Sequence, residues 1–170
     1  TGDNQPREWD FHVEDFMPER MALNLTPQAA PVAPTADVTF DVSGAYLYGA
    51  PASGNQLQGK LFLRPLRDAV AALPGFQFGD IAEENLSRSL DEVQLTLDEK
   101  GHGEVTTSSQ WQDSHSPLQV VLQASLLESG GRPVTRTVKQ PIWPAEALPG
   151  IRPQFTLKDV YDYRTDTTVK

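Results

Sequence analysis

The chain has 170 residues, 38% of them apolar, with 14 prolines and 12 glycines, enough for one core-bearing domain and a tail built from many short elements and turns. A formal net charge of −9 argues against nucleic acid, whose phosphates need clustered Lys and Arg, and against adsorption to anionic lipid. The absence of cysteine rules out disulfides, cysteine-based zinc sites and cysteine nucleophiles, and no run approaches the roughly 18 to 20 apolar residues that span a bilayer.

Trp9, Phe11 and Val13 alternate with polar residues, and Phe16 follows after a slip. The pattern predicts a half-buried strand ended by Pro18. Met21, Leu23 and Leu25 repeat the alternation in a second short strand. TPQAAPVAPTA, residues 26–36, places three prolines among small residues and reads as an extended loop. Val38, Phe40 and Val42 form a period-2 face leading into Ala45-Tyr46-Leu47-Tyr48, whose aromatic rings suit a pleated surface. Gly49, Pro51, Ser53, Gly54 and Asn55 supply turn chemistry before Leu57 to Leu63 resume a strand, so the stretch reads as a hairpin.

Arg67 to Leu73 have the composition of two helical turns stopped by Pro74-Gly75. Asp80 and Glu83 have capping-box spacing for a second short helix from Ile81 to Arg88. Residues 66–89 are therefore expected to form a partly helical insertion. Val93, Leu95 and Leu97 alternate again, Asp98 to Gly103 turn, and Glu104 to Ser108 return as a strand. Leu118, Val120, Leu122, Ala124 and Leu126 form the most regular alternation in the chain and mark a central strand. Ser129 to Arg132 turn it into a partner at Val134 to Val138.

These elements predict an all-β fold, a seven-stranded antiparallel sandwich of the immunoglobulin-like type. Helices do not alternate with strands, which disfavours parallel α/β. The expected core is Phe11, Val13, Val38, Phe40, Val42, Leu61, Leu63, Leu95, Leu97, Val120, Leu122 and Leu126. PIWPAEALPGIRP carries four prolines, cannot extend the last strand as a paired ladder, and reads as a linker. The sandwich is thus expected over residues 1–143, with Ile142 and Trp143 closing its end, and residues 144–170 as linker and start of a next domain.

No catalytic group declares itself. His12 falls on the polar side of its strand and His102 in a Gly-flanked turn. His115 has Asp113, Ser114 and Ser116 beside it, the residue types of a hydrolytic triad, but near-adjacent residues cannot face one another with triad geometry. Glu83-Glu84 and Asp91-Glu92 are carboxylate pairs of the kind that serve as acid and base or as hard-cation ligands, and read more simply as a solvated acidic face. Trp9, Trp111 and Trp143 offer either a sugar-stacking platform or aromatic plugs at the ends of a sandwich. Nucleotide-binding, calcium, zinc-protease and hydrolase motifs are missing. No catalytic, cofactor or metal residue is assigned, and the chain is not expected to be an enzyme.

A wider pattern is specific. WDFHVEDFMPERMALNL, a run of small and polar residues, then VTFDVSGAYLYGAPASGNQLQGKLFLRP resembles the start of a macroglobulin domain in the alpha-2-macroglobulin family. The matching residues are Val13-Glu14-Asp15-Phe16-Met17-Pro18-Glu19-Arg20, and Tyr48-Gly49-Ala50-Pro51 with Gly54 and Gly59. SPLQVVLQASLLESGGRPVTRTVKQPIWPAEALPGIRP is similar to the end of such a domain, and the passage to the next, in large bacterial members.

The resemblance implies a macroglobulin sandwich, one bead among many. It also implies a periplasmic parent, anchored to the inner membrane as a lipoprotein, that inhibits proteases by entrapment after cleavage of a bait segment. The implied partners are neighbouring macroglobulin domains and, through the full-length protein, target endopeptidases, with neither nucleic acid nor direct membrane insertion. The family's thioester lies in a Cys-Gly-Glu-Gln motif, which this cysteine-free stretch does not carry. The competing reading is an adhesin-like or carbohydrate-binding sandwich using Trp111, Trp143 or its loop tips.

Overall fold

One-faced alternation makes Met21–Thr26 and Val38–Tyr46 complementary strands, β1 and β2, paired antiparallel with Met21 opposite Tyr46 and Thr26 opposite Asp41. The computed structural model describes residues 18–80, 82–84, 86–157 and 165–169. The strand expected over Trp9 to Phe16, with His12 and the core positions Phe11 and Val13, lies outside the described residues. The remaining strands are β3 (Gln56–Pro65), β4 (Gln77–Phe78), β5 (Arg88–Thr96), β6 (His102–Thr107) and β7 (Leu118–Leu126). They are followed by β8 (Val134–Ile142), β9 (Gly150–Ile151), β10 (Pro153–Leu157) and β11 (Thr165–Val169).

Two antiparallel sheets face each other, a three-stranded one in the order β1-β2-β6 and a four-stranded one in the order β5-β3-β7-β8. The fold is all-β, and the regular alternation along Leu118–Leu126 does mark an interior strand. Between the sheets Val38, Phe40, Val42, Leu61, Leu63, Leu97, Val120, Leu122 and Leu126 are buried as expected, while Leu95 is half-buried against them. Met21, Leu23, Leu57, Leu118, Val134 and Ile142 are also part of the core. Each such side chain contributes about 1.5–3 kcal/mol through burial.

Three expectations are corrected. No helix forms among the described residues of the 66–89 insertion. A seven-residue segment is too short to repay helix nucleation on its own, and stronger partners lie further along the chain. The Arg67 guanidinium donates to the carbonyls of Phe78 (3.3 Å) and Asp80 (3.0 Å), and Phe78 N–H donates to the Arg67 carbonyl (2.8 Å). Asp80 caps locally instead, its Oδ1 accepting from Ala82 N–H at 2.8 Å.

The stretch from Ala45 to Leu63 is not a hairpin between paired strands. β2 belongs to the three-stranded sheet and β3 to the four-stranded one, so the turn residues carry the chain from one sheet to the other. Gly44 marks the crossing. It is buried, its N–H donates to the Gly101 carbonyl (2.8 Å), and its carbonyl accepts from Ala52 N–H (3.0 Å).

Pro141 does not end the last ladder, since it pairs opposite Gln119 and Ile142 pairs opposite Leu118. The Pro141 carbonyl accepts from Val32 N–H (3.1 Å), on the side away from β7. The N–H that proline lacks would have pointed the same way, so the β7 ladder loses nothing. Val32 in turn accepts from Trp143 N–H (3.1 Å), forming a parallel bridge with Ile142. The Pro-rich loop thereby covers the outer edge of β8. Gln140, fully buried, holds it there through Nε2 to the Ala30 carbonyl at 2.9 Å.

Beyond β8 the chain pairs Gly150 and Ile151 with Phe78 and Gln77 of the insertion, while β10 and β11 pair with each other. Ile142 is buried and Trp143 half-buried at this end of the sandwich.

Candidate functional site at the N-terminal pole

The sandwich has two poles, and registers decide which residues share each. Met21 lies opposite Tyr46, and Leu126 lies opposite both Leu57 and Val134. The Asn55 side chain ties these strand ends together, its Nδ2 reaching Met21 Sδ (3.1 Å), the Leu127 carbonyl (3.2 Å) and Tyr46 Oη (3.4 Å). The other pole gathers Pro65, Leu118 and Ile142, which are paired in series.

At the N-terminal pole the tip after β2 is held tightly and left bare. Tyr46 N–H donates to the Ala50 carbonyl (2.7 Å), Gly49 N–H to the Tyr46 carbonyl (2.9 Å), and Leu47 N–H to the Arg20 carbonyl (2.9 Å). Gly49 has φ of +98°, a left-handed conformation that closes this tight turn. The Tyr46 and Tyr48 rings stack at 5.2 Å between centroids. Even so, Leu47 is 68% and Tyr48 79% exposed. Nearby, Arg136 pairs with Glu19 at 3.1 Å, and that hydrogen bond holds the Glu19 carboxyl below its ordinary range.

The sequence does not announce the tip's exposure, although the phase of alternation carries a signal. Val38, Phe40, Val42 and Gly44 define the inward set. That phase puts Leu47 on the outward side, and Gly49 stops the strand before Tyr48 can turn in.

Among the described residues, Glu83, Ser114, Ser116 and Asp98 use their side chains to fix backbone. His115 is exposed, and its backbone N–H, not its imidazole, donates to Glu83 Oε1 at 3.1 Å. Ser114 Oγ accepts from Ser116 N–H (3.2 Å), and Ser116 Oγ accepts from Asp80 N–H (2.9 Å). Burial works against charge on Glu83, but hydrogen bonds from Ser116, Ser114 and the His115 backbone outweigh it and keep the carboxyl below the ordinary value. Glu84 is exposed beside it.

Asp91 ties the two sheets together, its Oδ2 accepting from Thr107 Oγ1 at 2.8 Å, while Glu92 forms an exposed pair with Lys60 at 3.4 Å. Asp98 shapes the turn before β6. The N–H groups of His102 and Lys100, each 2.8 Å from its Oδ1, lower its pKa, and the His102 side chain is exposed.

Trp111 is only 3% exposed and belongs to the core. It also lines a cleft of about 380 Å³ at the C-terminal pole with Glu83, Leu86, Arg88 and Leu118. With Trp143 half-buried, these two indoles do not form an open stacking platform, and Trp9 lies outside the described residues. Among the described residues no group of three His, Asp or Glu side chains is arranged to hold a metal ion.

The comparisons with known proteins agree with one another. The family description "Bacterial Alpha-2-macroglobulin MG5 domain" matches residues 19–144. The chain is 75% identical over 170 residues to alpha-2-macroglobulin of Escherichia coli, covering 100% of this chain and 10% of that protein. It is 38% identical over 145 residues to alpha-2-macroglobulin of Xylella fastidiosa, covering 84% of this chain and 9% of the relative.

Among solved structures, the cryo-EM reconstruction of native E. coli alpha-2-macroglobulin matches with a TM-score of 0.81 and 72% identity, over 100% of this chain and 11% of that one. Salmonella alpha-2-macroglobulin reacted with methylamine matches with a TM-score of 0.81 and 76% identity, over 98% and 11% respectively. The segment thus spans about a tenth of the length of these relatives. Sequence identity along the whole segment and agreement of the fold lead to one conclusion: this chain belongs to the bacterial alpha-2-macroglobulin family.

Proposed function

We propose that this segment is a framework module of a longer, alpha-2-macroglobulin-like protease inhibitor. Residues 1–143 form the module, and residues 144–170 are the linker and the start of the next domain. The full-length protein resides in the periplasm as a lipoprotein and entraps endopeptidases after they cleave a bait segment elsewhere in the chain. The observation that carries this reading is 75% identity across all 170 residues to a protein ten times longer. Structures of the E. coli relative activated by trypsin and by porcine elastase support endopeptidases as targets.

The module's own contribution is mechanical. Its carboxylates and amides hold loops and edges, while β1 opens at one pole and β8 ends at the other.

The test uses the full-length protein and trypsin. Trapped trypsin keeps its turnover of a small chromogenic peptide and loses activity on casein, because entrapment shields the enzyme without occupying its active site. Equal loss on both substrates, or no loss on either, refutes entrapment. Recovery of the full-length protein in the cytosolic fraction refutes the periplasmic assignment.

A further inference from the structure

Trypsin-like endopeptidases cut after Arg and Lys, and exposed loops are where such nicking concentrates. Among the described residues, Lys60, Arg64, Arg88, Arg136 and Lys139 lie in β3, β5 and β8, where cleavage must wait for a ladder to open. Arg20, Arg67, Lys100, Arg132 and Arg152 lie outside the strands. The fold itself holds the first three. The Arg20 carbonyl accepts from Leu47 N–H (2.9 Å) and the Arg67 carbonyl from Phe78 N–H (2.8 Å), so neither is free to enter a protease oxyanion hole. Lys100 sits in a tight turn, its own N–H and that of His102 both donating to Asp98 Oδ1, and the residue after it, Gly101, is buried. Arg132 and Arg152 are different. Each is exposed, the residue that follows it is exposed, and in both cases that residue is proline.

Resting on the reading of the full-length protein as a trap for endopeptidases, we propose that Pro133 and Pro153 protect the two exposed arginine bonds of this module from Arg-specific serine proteases. Proline's nitrogen is tertiary and its ring crowds the residue before it. The bond between Arg and Pro therefore cannot take up the near-attack geometry that hydrolysis requires. The positions are the ones where a cut would do most harm. Cleavage after Arg152 would sever the sandwich from everything downstream, and cleavage after Arg132 would break the turn between β7 and β8. Protection is thus of two kinds. Arg20, Arg67 and Lys100 resist only while the module is folded, whereas Arg132 and Arg152 resist in any conformation.

The experiment treats the full-length protein with trypsin and maps new chain termini by peptide mass spectrometry. The parent should stay intact at all five loop bonds under native conditions. In urea that unfolds the module while trypsin remains active, it should gain cuts after Arg20, Arg67 and Lys100 and none after Arg132 or Arg152. Pro133→Gln and Pro153→Gln should each gain a cut after the preceding arginine under native conditions. The double variant Arg132→Gln, Pro133→Gln, with the same loosened loop and no arginine, should lose that cut. A parent cut after Arg132 or Arg152 overturns the proposal. So does a single variant that is cut there only in urea, because the fold and not the proline then protects the bond. A native variant cut as readily after Arg67 or Lys100 also overturns it, since general loosening then explains the result. Trypsin trapping is scored on the same preparations. A parent with the expected cleavage pattern that does not trap refutes the inhibitor reading alone, whereas trapping by native single variants that remain uncut refutes the proline protection alone.

Discussion

Gly59→Ala sets two opposing effects against each other in the middle of β3. Alanine restricts the unfolded chain and by itself stabilises by about 0.4–1 kcal/mol. In the folded domain, however, Gly59 lies between Val93 of β5 and Ala124 of β7. A Cβ there would stand 2.6 Å from the Gln123 carbonyl oxygen and 3.0 Å from both Ala124 Cα and Cβ. Most of these atoms are backbone of the interior strand, so relief requires moving β3 and β7 apart. Overpacking of this kind costs about 1–3 kcal/mol.

The net expectation is a loss of about 1–2 kcal/mol, or a fall in Tm of about 3–8 °C for a domain this size. Urea and thermal unfolding followed by the fluorescence of buried Trp111 measure it. Gly44→Ala is the informative comparison. Its Cβ would meet Leu126 Cδ2 and Leu97 Cδ1, both at 2.8 Å, and these are side-chain ends that can shift. Gly44→Ala should therefore cost less. A Gly59→Ala domain as stable as the parent, or a larger loss at Gly44, refutes the reasoning.

Gln140→Met keeps side-chain bulk but removes the bond to the Ala30 carbonyl. It should destabilise by about 1–3 kcal/mol and speed hydrogen exchange at Val32 and Trp143, and unchanged protection at Val32 would contradict the edge-covering role of the loop. Glu83→Gln tests the acid side. The carboxyl pKa is lowered in the folded state, so its contribution is full above the unfolded value near 4.3 and is lost as pH falls through the folded value. The Tm gap between parent and variant should hold from neutral pH down to the ordinary carboxylate range and close below it, and a gap that widens on acidification rules the mechanism out. In the isolated segment, amides of Phe155 to Val169 should exchange much faster than those of Leu118 to Leu126; equal protection would place the tail within this domain.

Much of the sandwich was legible because burial on one face writes itself into a strand as period 2. Val38 to Val42 and Leu118 to Leu126 show it without ambiguity. What failed was non-local. Arg67 to Leu73 have a locally helical composition, but Arg67 finds its acceptors at Phe78 and Asp80, a choice that no window of that length contains. Turn residues between β2 and β3 look the same whether the chain returns to the same sheet or crosses to the opposite one. Proline at 141 is harmless only because its outer side faces Val32, and an edge is a property of the assembled sheet. The candidate site suffered from the same gap. Tyr48-Gly49-Ala50-Pro51 carried the family resemblance, yet aromatic residues in a strand-like run suggest a covered position, and only the completed pole shows Leu47 and Tyr48 uncovered.

The pairing of β9 with β4 gives the departing chain a latch. Gly150 fits against Phe78 because a Cβ there would come within 2.5 Å of the ring, and the Arg152 guanidinium lies over Phe76 at 5.2 Å. A two-stranded ribbon this short is marginal by itself, whereas β8 is zipped along its whole length to β7. Tension applied beyond Ile151 therefore meets the weaker element first. The Gln77–Ile151 and Phe78–Gly150 pairs peel apart, and the chain from Trp143 to Ile151 becomes slack before any core strand carries load. The joint has a short, latched length and a longer, released one, so a pull from the C-terminal side can reposition the downstream chain while the sandwich stays folded.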